Sequence, residues 1–291
     1  MNNYVIITDS TSDLNKELID KINVEILPLR YIVGDDQYWN EPEEGDANIK
    51  EFYSKLRNGA SSSTSQITFA SFKVSFKKYL DKDLDILYIA FSSGLSGTAH
   101  QAVLAKNELA EEYPNRKIIV VDSLAASLGE GMLVYYAANL KNEGKSMEEV
   151  AEFIENNKLK LAHWFTVDDL NFLKRGGRVS PAAALLGSVL GIKPILHVDD
   201  EGHLIPVGKV RGRKASIEEL VIRASKTIEN PENQTAFICH GDCIDDAEYL
   251  AKRAKEVLGV KEVIIGYTGP VIGSHSGPGT LALFTFNKNR N

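Results

Sequence analysis

Short β-branched runs alternate with helix-like stretches through the first half of the chain, and this alternation constrains the fold more than any other feature. The runs at residues 4–8, 85–91 and 117–122 have the composition of buried strands. Helix signals lie near them: Gly59 follows a helix predicted over residues 49–57, and Ser146 with Glu149 forms a capping box. Strands that alternate with helices predict a parallel sheet with crossover helices.

The pattern changes at about residue 160. Strands are predicted at residues 161–167, 235–240 and 262–267, and helices at 168–174, at 181–190 and from about Ser216 and Asp245. Residues 195–198 and 203–210 flank Asp-Asp-Glu-Gly, which predicts a hairpin. The sequence therefore predicts an α/β fold with two domains, residues 1–160 around a mostly parallel sheet and residues 161–291 around a mixed sheet.

Composition narrows the functional classes. A length of 291 residues favours two domains that each bury a core. The net charge of −7 argues against non-specific nucleic-acid binding, and no apolar run approaches the ~18 residues that would predict a membrane span. Two cysteines and an N-terminus without a basic leader predict a reduced, cytoplasmic location.

Small hydroxyl residues cluster where the predicted strands end, at residues 8–13, 92–98 and 122–123. The carboxyl ends of parallel strands lie on one edge of a sheet, so these clusters are expected to converge. Helix capping explains Ser12, Asp13 and Ser123 well. Residues 92–98 offer more donors than one cap uses, next to a positive helix end, so we expect a ligand there that carries a carboxylate or a phosphate.

Other chemistries fit the sequence less well. The Gly144-Lys145-Ser146 segment lacks the upstream glycine of a phosphate loop, and Gly277-Pro278-Gly279 has no acidic residue far enough beyond it for a dinucleotide site. Zinc is not favoured, because the spacing of Cys239, His240, Asp242 and Cys243 fits no standard site.

A serine hydrolase or acyltransferase stays open as the alternative. Ser93 or Ser96 could act as nucleophile with His275 as base and Asp9 or Asp122 as its partner. No Gly-x-Ser-x-Gly elbow occurs in the chain, which weighs against this interpretation. A small-anion sensor, with an ordinary core and no acyl slot, is a third possibility.

Several short motifs occur in a fixed order along the chain. They are Asp9-Ser10-Thr11, Thr64-Ser65-Gln66, Ser92-Ser93-Gly94-Leu95-Ser96-Gly97-Thr98, Val121-Asp122-Ser123, Lys174-Arg175-Gly176-Gly177-Arg178, Lys193-Pro194-Ile195-Leu196, Lys209-Val210-Arg211-Gly212, and His275 with Gly277-Pro278-Gly279-Thr280. Together they resemble, over essentially the full length, the DegV family of fatty-acid-binding proteins, the substrate-carrying subunit of bacterial fatty acid kinase. Ile67-Thr68 departs from the Pro-Ser that usually follows the second motif.

This resemblance implies a non-catalytic protein, without cofactor or metal, that buries one long-chain fatty acid between its domains and presents it to an ATP-dependent fatty acid kinase. It implies that Thr64 and Ser93 hold the carboxylate and that His275 belongs to the same polar cluster. The other ligand-binding candidates are Ser65, Ser96 and Arg178. The glycine-rich segment 269–280 is expected to be a loop that brings its backbone beside the carboxylate.

Two further expectations concern the acyl chain and the partner. Residues 182–190 are apolar enough to line a dry slot, together with Ile192, Ile195, Leu281 and Phe284. The segments 174–178 and 209–214 are basic on an acidic chain, so they are candidates for docking the kinase. The arginines singled out for docking are Arg178, Arg211 and Arg213.

Overall fold

The computed structural model describes residues 3–42, 45–180 and 191–290. The strands are β1 (Tyr4–Asp9), β2 (Glu25–Leu27), β3 (Arg30–Val33), β4 (Asp36–Trp39), β5 (Ser62–Ser65), β6 (Asp85–Ala90), β7 (Ile118–Asp122), β8 (Leu161–Thr166), β9 (Ile192–Val198), β10 (Leu204–Arg211), β11 (Thr235–His240), β12 (Glu262–Tyr267) and β13 (Leu281–Phe286). The helices are α1 (Lys16–Ile22), α2 (Gly45–Arg57), α3 (Phe69–Leu80), α4 (Thr98–Glu112), α5 (Leu128–Asn142), α6 (Met147–Asn157), α7 (Asn171–Arg175), α8 (Arg213–Thr227), α9 (Ile244–Arg253) and α10 (Pro270–Ser276).

The N-terminal part of the chain forms a four-stranded parallel sheet in the order β2-β1-β6-β7. Its central strands are apolar on both faces, as strands covered on both sides must be. Ile6 and Leu87 pack toward α5, whereas Ile7 and Tyr88 pack toward α3 and α4. The predicted parallel sheet is confirmed.

The C-terminal part forms a six-stranded sheet in the order β10-β9-β8-β13-β11-β12. It is mixed, because β11 and β12 are parallel while the other neighbouring pairs are antiparallel. The predicted hairpin joins β9 to β10, and its turn closes with a hydrogen bond of 3.0 Å from Gly202 N to Asp199 O. Helices α8 and α9 cover the outer face of this sheet.

A three-stranded antiparallel sheet, in the order β4-β3-β5, was not among the predicted elements. Its strand β5 lies within the serine-rich run at residues 61–65, and Thr64 pairs with Tyr31 of β3. Tyr31 is buried against Phe52 of α2, so the apolar side of this sheet comes from β3. The sheet matters because it carries Thr64 to the site described below.

Helix α5 lies between the two large sheets. Its side chains contribute to one apolar cluster that also contains residues of β1, β6, β11 and β13. Leu133 and Val134 are fully buried there, and each such side chain contributes ~1.5–3 kcal/mol. Gly131 is required on this helix, because a Cβ at this position would lie 2.5 Å from the carbonyl oxygen of Ser12.

The strands of the parallel sheet end by residue 122, and β8 of the mixed sheet begins at Leu161. A domain boundary near residue 160 stays a prediction. The apolar helix predicted at residues 181–190 lies outside the described residues. Within the described ranges, none of the helices combines the length and the apolar character needed to cross a bilayer.

Candidate functional site

A cavity of about 270 Å³ lies on the inner side of the mixed sheet, beside the start of α5 and next to β5 and α10. One end is polar and the rest is apolar. The polar end is formed by Thr64, Ser65, Ser96, Arg178, His275 and Ser276. The apolar part includes Phe165, Leu173, Val198, Leu204, Ala282 and Phe284.

Thr64 and His275 form the centre of the polar end. Thr64 Oγ1 lies 2.8 Å from His275 Nε2, although the two residues are far apart in the chain. Strand β5 holds Thr64, and α10 holds His275 in its last turn. A hydrogen bond of 3.2 Å from Ser62 Oγ to Ser274 O links these two elements.

His275 is neutral at physiological pH. Burial lowers the pKa of its imidazole to about 4, with a further contribution from the charge of Arg178. Its Nδ1 is buried and has no hydrogen-bond partner among the described residues. A neutral imidazole can donate from one nitrogen only, so this residue can orient a hydroxyl without adding charge.

Arg178 brings a positive charge to the same place. Its Nε donates to Leu95 O at 3.3 Å, and its Nη1 donates to Gly176 O. No carboxylate of the described residues lies within ion-pair distance of its guanidinium. Burial lowers the pKa of this side chain from its usual high value, but a guanidinium remains protonated. An unpaired, half-buried cation beside neutral donors favours an anionic ligand.

The serine-rich segment after β6 contributes Ser96 to the cavity but not Ser93. The amides of Leu95 and Ser96 both donate to Ser92 O at 3.1 Å, and this tight turn leaves Ser93 exposed. The amide of Ser93 donates to Asp122 Oδ1 at 3.2 Å, and Ser93 is not among the residues that line the cavity. The position therefore favours Ser96 over Ser93 as a ligand-binding serine.

The N-terminus of α4 faces the polar end as well. Ser96 and Gly97 immediately precede the helix and line the cavity, and Ser96 Oγ accepts from the amide of Thr98 at 3.2 Å. The positive end of the helix dipole adds to the attraction for an anion. The helix end expected next to residues 92–98 is found, because α4 begins at Thr98.

The segment 269–280, expected to be a loop, contains helix α10. Pro270 occupies the first helical position, where a missing N–H is tolerated, and the residues after it continue the helix to Ser276. Gly277 ends the helix with φ of 78°, a conformation that favours glycine. The predicted loop is therefore wrong for residues 270–276, which are helical, and non-helical backbone follows only from Gly277 onward.

The apolar lining differs from the expected one. Phe284 lines the cavity, but Ile195 and Leu281 pack in the cluster on the opposite face of the mixed sheet. Successive side chains of a strand point to opposite faces of the sheet, which explains why Ala282 lines the cavity and the neighbouring Leu281 does not. Ile192 is not among the lining residues, and residues 182–190 lie outside the described part of the chain.

The arginines proposed for docking occupy different environments. Arg211 is exposed at the end of β10. Arg213 is partly buried and is engaged by two carboxylates, because its Nε donates to Asp246 Oδ2 at 2.8 Å and its Nη1 lies 3.7 Å from Asp168 Oδ1. An ion pair of this kind leaves Arg213 less available to a partner than Arg211.

The geometry of a serine hydrolase is not found among the described residues. His275 Nε2 bonds to Thr64, and its Nδ1 bonds to no carboxylate. A triad would need a nucleophile on one ring nitrogen and an acid on the other. Among residues 3–42, 45–180 and 191–290, no group of three or more His, Cys, Asp or Glu side chains is placed so that it could hold a metal ion.

Sequence reasoning missed several residues of this cavity. Gln66 lines the polar end, Ser276 and Thr268 each add a buried hydroxyl without a hydrogen-bond partner in the described ranges, and His163 lies among the apolar residues. Gln66 belongs to a quoted motif and was within reach of the sequence. Ser276 lies in the segment 269–280 but was not singled out there, Thr268 directly follows β12, and His163 stands in the apolar strand β8, so neither of the last two has a distinguishing pattern.

Comparisons with known proteins give consistent results. The model of the DegV family, a family of uncharacterised proteins, matches residues 3–288. A DegV domain-containing protein of Clostridium perfringens is 46% identical over 284 residues, which are 98% of this chain and 97% of that protein. The DegV domain-containing protein YteA of Lactococcus lactis is 39% identical over 289 residues and 98% of each chain.

Solved structures of DegV proteins match this chain over almost its whole length. A DegV family protein from Thermus thermophilus that binds fatty acid is 34% identical, with a TM-score of 0.87 over 98% of this chain and 99% of that one. DegV from Bacillus subtilis, a fatty-acid-binding protein, is 31% identical, with a TM-score of 0.81 over 99% of this chain and 100% of that one.

Proposed function

This chain belongs to the DegV family, and we therefore propose that it binds one long-chain fatty acid in the cavity described above. The relatives from T. thermophilus and B. subtilis bind fatty acids. The observation that carries the proposal is the hydrogen bond of 2.8 Å between Thr64 and His275, next to the unpaired guanidinium of Arg178 at one end of an apolar cavity.

The carboxylate binds at the polar end. His275 Nε2–H donates to Thr64 Oγ1, which leaves the hydroxyl proton of Thr64 free for the carboxylate. Arg178 balances the negative charge, and Ser96 supplies a second hydroxyl. His275 is thus a positioning residue, and its low pKa keeps this arrangement in place across the physiological range.

The acyl chain occupies the apolar part, between Phe165, Ala282 and Phe284. At ~0.8 kcal/mol per buried methylene, a sixteen-carbon chain gains on the order of 12 kcal/mol before the costs of binding. The acyl chain therefore supplies most of the affinity. The polar end fixes the orientation, with the carboxylate beside β5 and α10.

We further propose that the chain has no catalytic activity of its own, works in the cytoplasm and presents the carboxylate to an ATP-dependent fatty acid kinase. Arg211 is the better docking candidate, because its side chain is exposed, whereas Arg213 is ion-paired with Asp246. Surface arginines of this kind steer association with an acidic partner.

Lipid identification tests the binding proposal. Native mass spectrometry of the purified full chain should show one fatty acid per chain, and solvent extraction should identify it. Thr64→Val should lower the occupancy, whereas Val74→Thr, a reverse change at an exposed position in α3, should not. A purified chain that is empty or carries a nucleotide would contradict the proposal.

A reconstituted reaction tests the kinase partnership. The fatty-acid-loaded chain is mixed with a fatty acid kinase and ATP, and acyl phosphate is measured. Arg211→Glu should slow its formation without changing fatty acid affinity, and Lys226→Glu, at an exposed position of α8, should leave the rate unchanged. Equal rates for both variants would remove Arg211 from the docking surface.

A further inference from the structure

A buried arginine joins the two large sheets on the side of the cavity where the turn between β9 and β10 lies. Arg290 is fully buried, and its guanidinium donates to three backbone carbonyls from distant parts of the chain. Nη1 donates to Leu124 O and to Asp199 O, each at 2.8 Å, and Nη2 donates to Lys158 O. Leu124 comes after β7 of the parallel sheet, whereas Asp199 begins the turn in the mixed sheet. One side chain therefore links both sheets.

The charge of Arg290 makes this link hard to break. Burial lowers the pKa of its guanidinium to about 10, against a smaller opposing contribution from the carboxyl groups of Asp200, Asp199 and Asp122. The group therefore stays protonated at physiological pH. A hydrogen bond from a charged donor is about twice as strong as one between neutral groups, and a buried charge that loses its partners is strongly destabilising. The carbonyls that surround the guanidinium are thus held firmly in place.

The segments that contain Leu124 and Asp199 also hold Ser92. The amide of Ser92 donates to the carbonyl oxygen of Ala125, the neighbour of Leu124, at 3.0 Å. Its Oγ donates at 2.9 Å to Gly202 O, which lies in the turn that begins at Asp199. Ser92 is therefore bonded to the same two segments that the guanidinium brings together.

The turn between β9 and β10 fits closely against the serine-rich segment at residues 92–98. A Cβ at position 94 would lie 2.8 Å from the carbonyl oxygen of Glu201, and a Cβ at position 202 would overlap Ser92 Oγ. Gly202 also has φ of 82°, a conformation that favours glycine. Since the two backbones leave no space between them, a shift of the turn would move the serine-rich segment as well.

Each of these segments continues into a wall of the cavity. Ser92 O accepts from the amides of Leu95 and Ser96 at 3.1 Å, so Ser92 fixes the turn that brings Ser96 to the polar end. The wall residues next to the three segments are Leu95, Ser96 and Gly97, then Ala126 and Ser127, and then Val198 and Leu204. The hydrogen bonds of Arg290 therefore bear on the polar end and on the apolar part of the cavity.

We propose that Arg290 is a positioning residue of the binding site, which holds three walls of the cavity together and so sets how slowly a bound fatty acid leaves. The inference rests on the proposed function, because it needs an acyl chain in this cavity. Arg290 is not among the lining residues, so it acts through Leu124, Asp199 and Ser92. A chain enclosed by these walls leaves more readily when they separate, and differences of this kind are expressed mainly in the dissociation rate.

The test measures how fast cis-parinaric acid, a fluorescent long-chain fatty acid, dissociates from the full chain when excess octadecanoic acid is added. Arg290→Met keeps an apolar stem and removes every donor, so we expect dissociation to become about tenfold faster. Arg290→Lys keeps the charge and three donors, and it should restore most of the slow dissociation. Only folded, loaded chains contribute to this rate, so a loss of stability alone does not change it.

Arg253→Met is the matched control. Arg253 also makes several hydrogen bonds, but its partners are Glu218 of α8 and Glu256, beyond the end of α9. Helices α8 and α9 lie on the outer face of the mixed sheet, away from the cavity. The dissociation rate should be unchanged in this variant, although it too loses a guanidinium.

Ser92→Ala tests the same route from its other end. It removes the hydrogen bond to Gly202 O and should also speed dissociation. Combined with Arg290→Met, it should add less than its own separate effect, because the two residues act on the same segments. Effects that simply multiply would count against Ser92 as the connection.

Two results would overturn the inference while the fatty acid still binds. One is an equal dissociation rate in the wild type and Arg290→Met, and the other is an equal acceleration in Arg290→Met and Arg253→Met. Should Arg290→Met not fold, an unchanged rate in Ser92→Ala would overturn it in the same way. A wild-type chain that binds neither acid would instead overturn the proposed function.

Discussion

Two polar clusters of similar composition lie at strand ends in this molecule, and they differ in how completely they satisfy themselves. The acid cluster consists of the carboxyls of Asp9, Asp13 and Glu130 with the hydroxyl groups of Thr8, Thr11, Tyr88 and Ser127. The head-group cluster consists of Thr64, Ser96, Arg178, His275 and Ser276 at the polar end of the cavity. Both are rich in hydroxyls, and both combine residues in or directly after β strands with residues from helices.

Most polar atoms of the acid cluster pair with one another, and the exception is Asp13 Oδ1, which is buried without a hydrogen-bond partner among the described residues. Thr8 Oγ1 lies 2.9 Å from Ile89 O and 2.8 Å from Glu130 Oε1. The threonine has one proton and the carbonyl only accepts, so Glu130 donates to Thr8 and is protonated. Burial, followed by the charge of Asp9, raises the pKa of Glu130 well above its ordinary value, which agrees with this assignment.

The head-group cluster stays incomplete. The buried Nδ1 of His275 and Oγ of Ser276 have no hydrogen-bond partner among the described residues, and Arg178 has no carboxylate there. Hydroxyl-rich strand ends are therefore structural where their groups pair with one another. Where the groups are left over beside a cavity, they indicate a ligand site.

The largest expected effect concerns the acid cluster. Glu130→Ala should lower the free energy of unfolding by about 3 kcal/mol, because it leaves a cavity and removes the partner of two buried threonines. Glu130→Gln keeps the shape and the neutral charge, so it should cost only about 1 kcal/mol. Urea unfolding of the lipid-free chain measures both. Should the two variants be equally stable, Glu130 would not be the protonated centre of this cluster.

In the head-group cluster we expect a substitution to weaken ligand binding more than it lowers the free energy of unfolding. Thr64→Val should weaken fatty acid binding about tenfold or more, because a hydrogen bond to a charged group is worth ~1.5–3 kcal/mol. The change also removes the hydrogen-bond partner of His275 Nε2, so it should cost the lipid-free chain about 1 kcal/mol, less than the loss in binding free energy. Calorimetric titration and urea unfolding separate the two quantities.

Thr64→Ser is the control, since it keeps the hydroxyl and should keep most of the affinity. The contrast between the clusters would fail if Thr64→Val destabilised the empty chain as much as it weakened binding.

Apolar strands could be predicted from the sequence with accurate bounds. The runs Thr235–His240 and Glu262–Tyr267 are found as predicted, because a buried strand in a covered sheet needs a continuous apolar segment. Strand β5 was missed, since Ser-Ser-Thr-Ser has no alternation of apolar and polar residues. It is a strand because β3, which is distant in sequence, pairs with it.

The sequence predicted which residues belong to the site better than it predicted how they are arranged. Thr64, Ser96, Arg178 and His275 meet at one cavity, as the motifs indicate. The position of Ser93 outside the cavity lining depends on the turn made by the amides of Leu95 and Ser96, which composition does not reveal. The proton position on Glu130 requires the coordinates of its partners.

The smallest expected effect uses pH to separate the clusters. Burial, partly offset by the hydroxyl of Ser127, raises the pKa of Asp13 to about 8, so the folded chain keeps a proton there that the unfolded chain releases at about pH 4. Stability from this proton is present at low pH and is lost as the pH rises toward 8. The histidines act oppositely: His197 and His275, whose pKa is lowered to about 4, destabilise the fold as the pH falls below about 6.5.

Well above pH 6.5 these histidines are neutral in both states, so the buried acids dominate the slope toward pH 8. Each such acid contributes at most ~1.4 kcal/mol per pH unit. We expect Asp13→Asn to flatten the decline in the free energy of unfolding over this window. His275→Gln should leave it unchanged and should flatten only the limb below pH 6.5. Urea unfolding at half-unit pH steps measures both limbs, and a slope above pH 6.5 that does not respond to Asp13→Asn would place the titrating proton on another member of the acid cluster.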